Sequence, residues 1–188
     1  ANIRNQNSWV HAATPSVATT KAKDLTRMAV AKVDKQVSLE RISVPIDQVG
    51  LVVGGGVAGL TAALNMAKQG FLVHLVEKSN ILGGNALYLG HTWSGESIQD
   101  KAEKLITEVT NNHRIVIHKE SKVTGAEGFI GNFASTISTR KRKPQIINHG
   151  IGIVATGARE HRPAEYGYGQ IPFVVTGLEF DRLFELKE

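Results

Sequence analysis

VGLVVGGGVAGLTAALNMAKQGFLVHLVE, residues 49–77, is the stretch whose reading decides the fold. Val49, Leu51, Val52 and Val53 make a short continuous apolar run, as expected of a strand covered on both faces. Gly54, Gly56 and Gly59 follow as G-x-G-x-x-G. The first glycine of such a motif permits a tight turn. The second lets backbone approach a pyrophosphate, and the third lets helix pack on strand. The spacing predicts a helix from Val57 to Gln69, with Leu60, Ala63, Leu64 and Ala67 on its inner face and Gly70 just past its end. Phe71 to Val76 reads as a second buried strand, closed by Glu77.

Each part of this unit has a chemical use. The start of the helix, at Val57 and Ala58, offers unpaired N–H groups and about half a positive charge to phosphates. Glu77 follows Gly56 by 21 residues, the distance at which a carboxylate reaches the two ribose hydroxyls of an adenosine. A 2′-phosphate is repelled there, which disfavours NADP. The flanking strand, helix, strand and acid lift the glycine spacing above a chance turn. A second glycine pair, Gly83-Gly84 with Asn85, lies just past the acid, at the edge of the sheet where ligands of open α/β folds sit. It reads either as a plain turn or as a second close approach of backbone to the same phosphates, and its position favours the second. Lys78 lies either over an adenine or in solvent, and Tyr88 and Trp93 either shield a ring system or join the core.

The totals narrow the class. The 188 residues allow one domain with a real core plus an arm. Hydrophobic residues are 41% of the chain, no apolar run reaches the length of a membrane span, and no signal-peptide pattern opens it, so a cytoplasmic protein is expected. The net charge of +5 is spread out apart from Arg140–Lys143, and a nucleic-acid partner is not expected. That basic run reads as a solvated hairpin tip closed by Pro144, with docking of an acidic protein as the lesser alternative. With no cysteine, the chain has no disulfide, no C-x-x-C redox pair and no thiolate ligand for an iron–sulfur cluster. The seven histidines include no H-x-x-H or H-x-x-x-H pair, so no metal site is expected. No Ser/His/acid constellation stands out. The chain opens on Ala1 rather than Met and is read as part of something longer.

Taken in order, residues 1–13 read as an extended arm, or the end of a preceding domain, with Trp9 as its aromatic anchor, and a helix starts at Thr14-Pro15 and runs to about Glu40. Residues 41–48, with Pro45, read as a linker, so the expected domains are 1–48 and 49–188. Ser94 or Ser97 caps a helix to about Asn111, and Arg114–His118 is a strand. Residues 119–150 read as a small antiparallel meander. Gly150–Val154 returns as a buried strand ending in Ala155-Thr156-Gly157, small residues that let a ligand approach. Thr176 caps a short last helix. The fold class is α/β: a Rossmann-like domain with a parallel central sheet, a small meander, and an N-terminal arm and helix.

GGGVAGLTAALNMAKQGFLVHLVEK, the following GGN, the GFIGNF turn and GIVATGAREHRP together resemble the A-type subunit of heterodisulfide reductases. That family is similar in turn to the flavin-binding part of thioredoxin reductase. NIRNQNSWVH and TKAKDLTRMAVAKV look like the family's segment before its flavin domain. The resemblance implies FAD as cofactor. It carries over Gly54, Gly56 and Gly59 as phosphate-binding, Glu77 as ribose-binding, Gly83 and Gly84 as pyrophosphate contacts, and Ala155-Thr156-Gly157 as a flavin-side motif. It also sets Val123 near the adenine. It implies an FAD-binding electron-transfer domain working with further subunits or domains that carry iron–sulfur clusters. The chain departs from the family in having Asn7 where members commonly have cysteine. It also has no later half of the FAD fold, no second nucleotide domain and no cysteine segments. No C-x-x-x-x-C follows the glycine pair, which excludes disulfide reduction in the manner of glutathione reductase. The alternatives are an NAD-binding dehydrogenase domain and a non-catalytic scaffold piece of a redox complex. The meander argues against the first, since NAD folds continue with parallel crossovers.

Overall fold

Alternation along β1, Val49–Val53, organises the larger part of the molecule: Val52 faces one side of the sheet, Leu51 and Val53 the other. A computed structural model describes residues 2–139 and 142–185, in two units, 1–43 and 44–188.

In the first unit, residues 4–8 wind into one π-helical turn, and α1 runs Pro15–Asp34. The arm is therefore not extended as expected, and α1 stops short of Glu40, where Lys35 leaves the helical region at φ −91°, ψ 0°. Trp9 is exposed rather than an anchor, and its ring is met by the Arg4 guanidinium at 4.7 Å. The buried side chain of the arm is Asn7, whose Nδ2 donates to Ala18 O at 2.8 Å. No residue of α1 is buried.

In the second unit, β1 is followed by α2 (Val57–Lys68), β2 (Leu72–Val76), α3 (Ile98–Thr110) and β3 (Ile115–His118). These strands pair in parallel, and β7 (Ile151–Val154) pairs in parallel with the other edge of β1, for the order β3-β2-β1-β7. The β1–β2 and β2–β3 crossovers each carry a helix, the usual connection between parallel neighbours. α2 lays Leu60, Ala63, Leu64 and Ala67 on Val52, Val73 and Leu75, as its 3.6-residue period predicts. Gly70, at φ +98°, ends it. Ser97, not Ser94, caps α3 by accepting from Asp100 N at 3.1 Å.

The meander is β4 (Ser121–Phe129), β5 (Asn132–Thr139) and β6 (Arg142–His149), antiparallel in the order β4-β5-β6. Its Ile137 and Ile147 pack with Leu51 and Val76, forming the core of the sheet's second face. Arg140 and Lys141 of the basic tip lie outside the described residues. Pro144 does not close the hairpin but lies inside β6, an outer strand where a missing N–H is tolerated. β7 is also not the buried strand expected: it is an outer strand, with Ile151 and Val154 exposed. α4 (Gly177–Glu185) closes the described chain. Thr176 caps it, and Glu179 completes the box by accepting from Thr176 N at 2.9 Å. Among the described residues no helix is long and apolar enough to cross a membrane.

Candidate functional site

β1 is joined to β2 on one side and β7 on the other, so its carboxyl end is the point where the strand order reverses. Gly54 turns the chain there at φ +114°, a conformation glycine adopts without strain. A Cβ on Gly54 would strike the carbonyl of Ala155, so this turn is built against the loop after β7. A Cβ on Gly59 would strike Gly54 O and press Val52, which is the helix-on-strand contact the motif predicts.

Gly56 is the N-cap of α2 and supplies no capping side chain. The first N–H groups of the helix, beginning at Val57 and Ala58, therefore lack an intrahelical partner, and both residues are exposed. A Cβ on Gly56 would meet no atom within 4 Å, so the space in front of the helix is open.

The second glycine pair is brought onto this turn. Gly83 N donates to Gly55 O at 2.7 Å, and Gly56 and Gly83 form a parallel bridge. Gly83 and Gly84 have φ of +111° and +58°, and a Cβ on Gly84 would lie 3.1 Å from Gly56 Cα. Asn85 donates from Nδ2 to Ala158 O at 3.2 Å, tying the pair to the loop after β7. Ala155 N donates to Val53 O at 2.8 Å, and Gly157 has φ +64°.

Glu77 is buried at the end of β2. Its Oε2 accepts from Gly55 N at 2.6 Å, and its Oε1 accepts from Ser79 N and Ser79 Oγ, each at 2.8 Å. Burial disfavours the charge, yet the donors from Ser79 and Gly55, with Lys78 nearby, outweigh it and hold the carboxyl below its ordinary value. Three of about four acceptor positions are filled from within the chain, which leaves roughly one free. Spacing alone presents Glu77 as open to two hydroxyls and gives no sign of Gly55 or Ser79. The signal that points to Ser79 is local: a serine two residues beyond an acid favours a turn.

A cleft of about 260 Å³ opens beside Glu77, lined by Val53, Gly54, Lys78, Lys122, Val123 and Thr156 among others. The structure thus gathers Gly54, Glu77, Lys78, Val123 and Thr156 on one hollow. Tyr88 and Trp93 are exposed and belong to no core.

This donor set fits a dinucleotide. Free N–H groups and an open approach at Gly56 suit a pyrophosphate, and an ionised carboxylate next to a shallow apolar-walled cleft suits an adenosine.

The family model "FAD dependent oxidoreductase" matches residues 51–146. The chain is 39% identical over 175 residues to the second A-type iron-sulfur subunit of the CoB–CoM heterodisulfide reductase of Methanopyrus kandleri, covering 90% of this chain and 26% of that protein. It is 41% identical over 148 residues to the A-type subunit of the Ferredoxin/F(420)H(2)-dependent CoB-CoM heterodisulfide reductase of Methanosarcina acetivorans, covering 78% of this chain and 18% of that protein. The chain therefore spans about a quarter or less of these curated relatives. Among solved structures it is similar to L-proline dehydrogenase from P. horikoshii, with a TM-score of 0.53 at 26% identity over 67% of this chain and 25% of that one. The glycine turns meeting at one crevice and these relationships agree: the chain belongs to the FAD-dependent oxidoreductase family, and its cofactor is FAD.

Proposed function

We propose that this chain is the FAD-binding electron-transfer domain of a heterodisulfide-reductase-like oxidoreductase. One observation carries the reading: Gly83 is bridged to Gly56 directly in front of an uncapped helix. Residues 49–188 are assigned as part of the FAD domain, and 1–48 as its arm, helix and linker. Gly54, Gly56, Gly59, Gly83 and Gly84 form the bed for the pyrophosphate, and the N–H groups of Val57 and Ala58 bond it. Glu77 takes the adenosine ribose through its remaining acceptor position. Val123, with Val53, walls the adenine, and Lys78 stands at the rim. Asn85 holds the Gly83-Gly84 turn against the loop after β7, where Ala155, Thr156 and Gly157 keep the flavin side clear of bulk.

FAD, when bound, supplies reversible one- and two-electron chemistry. The chain's own residues bind it, orient it and set the charge around its phosphates. Partners carrying iron–sulfur clusters, as other subunits or as domains of a longer polypeptide, would relay the electrons. The name of the Methanopyrus relative, an iron-sulfur subunit, supports this. We place this activity in the cytoplasm. The antiparallel meander between β3 and β7 supports FAD over NAD, whose folds continue with helical crossovers.

Titration of the 188-residue chain with FAD, followed by flavin fluorescence with NADH as competitor, tests the reading. Saturable FAD binding that equimolar NADH leaves in place is expected. Failure to bind FAD, or ready displacement by NADH, would overturn it.

A further inference from the structure

Ser79 is used by none of the roles above, yet it touches both halves of the site. Its Oγ lies 2.8 Å from Glu77 Oε1 and 2.6 Å from Ile81 O. Its N–H also donates to Glu77 Oε1 at 2.8 Å. From Ile81 the chain passes through buried Leu82 to Gly83, which donates to Gly55 O at 2.7 Å. Gly55 N returns to Glu77 Oε2 at 2.6 Å. These bonds close a ring: Glu77, Ser79, Ile81, Gly83, Gly55 and Glu77 again. A Cβ on Gly55 would crowd Leu82 Cδ2 at 2.6 Å and Glu77 at 3.1 Å, so the ring is tightly packed as well as bonded.

We propose that Ser79 is a positioning residue, whose hydroxyl sets the Glu77 carboxylate and the turn into Gly83 in one fixed arrangement. The inference rests on the FAD reading only for its consequence in binding; the ring exists without it.

One hydroxyl proton faces two acceptors. The proton is shared between them as a three-centre bond, in which the part to the ionised carboxylate is charge-assisted and the part to Ile81 O keeps the turn in place. The Ser79 hydroxyl therefore favours the ionised form of Glu77 and leaves the carboxylate's remaining position aimed at the cleft. Around the carboxylate, Lys78 stands on its own strand end and Lys122 reaches the same cleft from β4. His118, on β3, turns its ring to His74 instead. The first turn of α2, Val57 to Leu60, carries no charge. No other side chain donates to Glu77, so its serine bond has no substitute among the described residues.

The test compares the full chain with Ser79→Ala and the conservative Ser79→Thr. The Glu77 side-chain carboxyl is followed by carbon NMR against pH without FAD, with melting recorded alongside. In Ser79→Ala, Glu77 titrates at a higher pH than in the parent, and Ser79→Thr restores the parent value. FAD affinity falls about tenfold in Ser79→Ala and returns in Ser79→Thr. A Glu77 titration unmoved by Ser79→Ala overturns the proposal. A parent chain that binds no FAD sinks the flavin reading instead, and the carboxyl titration still decides the role of Ser79.

Discussion

Gly56 is the residue at which binding and folding separate most cleanly. Its φ of −79° and ψ of −178° suit any residue, and a Cβ there touches nothing. Gly56→Val is therefore expected to fold and melt as the parent does while losing FAD, which thermal melting and fluorescence titration check together. Gly59 is the opposite case. Gly59→Val drives a side chain into Gly54 O and Val52, so the variant should be destabilised by several kcal/mol, seen as a lowered urea midpoint. Glu77 lies between these two. Glu77→Ala leaves the Gly55 N–H without its partner, at a cost of about 1–3 kcal/mol in stability, and weakens FAD by roughly 1.5–3 kcal/mol. Because its carboxyl is held below the ordinary value, Glu77 contributes stability above that ordinary value, and the contribution is lost as pH falls through its lowered folded value. The turn at Gly54 and the close helix-on-strand contact at Gly59 were legible from spacing alone. The involvement of Gly55 and Ser79 was not, because a hydrogen bond from a turn N–H to a side chain leaves no periodic trace.

At the scale of elements, the βαβ unit was readable because local pattern and tertiary burial agree in it. Val52, Leu60 and Leu75 are fully buried, and each sits where the 2.0 or 3.6 period places it. Leu60→Ala should cost about 2–5 kcal/mol by denaturant unfolding. The edges were harder. Ile151-Gly152-Ile153-Val154 has the composition of a covered strand, but β7 is an outer strand, and exposure depends on neighbours that composition does not encode. The histidines were also opaque. His74 on β2 and His118 on β3 lie 44 residues apart in sequence, yet His74 Nδ1 meets His118 Nε2 at 2.9 Å with stacked rings. On the facing meander, His149 accepts or donates at Ser135 Oγ, 2.8 Å away. Burial, then the charges of His118 and His149, push the His74 value below its ordinary 6.5. The unfolded chain takes up that proton first, so stability should fall as pH drops below about 6.5. His74→Gln should flatten this slope in melting curves taken between about pH 7 and pH 5.

At the scale of the whole molecule, the sheet order β3-β2-β1-β7 is what makes a site of separate motifs. It sets the glycine turn after β1, the acid after β2 and the small residues after β7 on one crevice, which the meander's Val123 also lines. Strand order was within reach of the sequence only through the right-handed βαβ rule for the first three strands. The return of β7 to the far side of β1, across the whole inserted meander, was not. A ligand that binds only the folded crevice stabilises the whole chain. FAD at about 100 times its dissociation constant should add about 2.7 kcal/mol, read as a rise in melting temperature. The central claim is that the uncapped start of α2, with Gly56 open before it, receives the phosphates of FAD. The most direct measurement is calorimetric titration of FAD into the chain and into Gly56→Val at matched stability. Binding to the parent and none to the variant is the predicted result; equal affinity in the two would contradict the account.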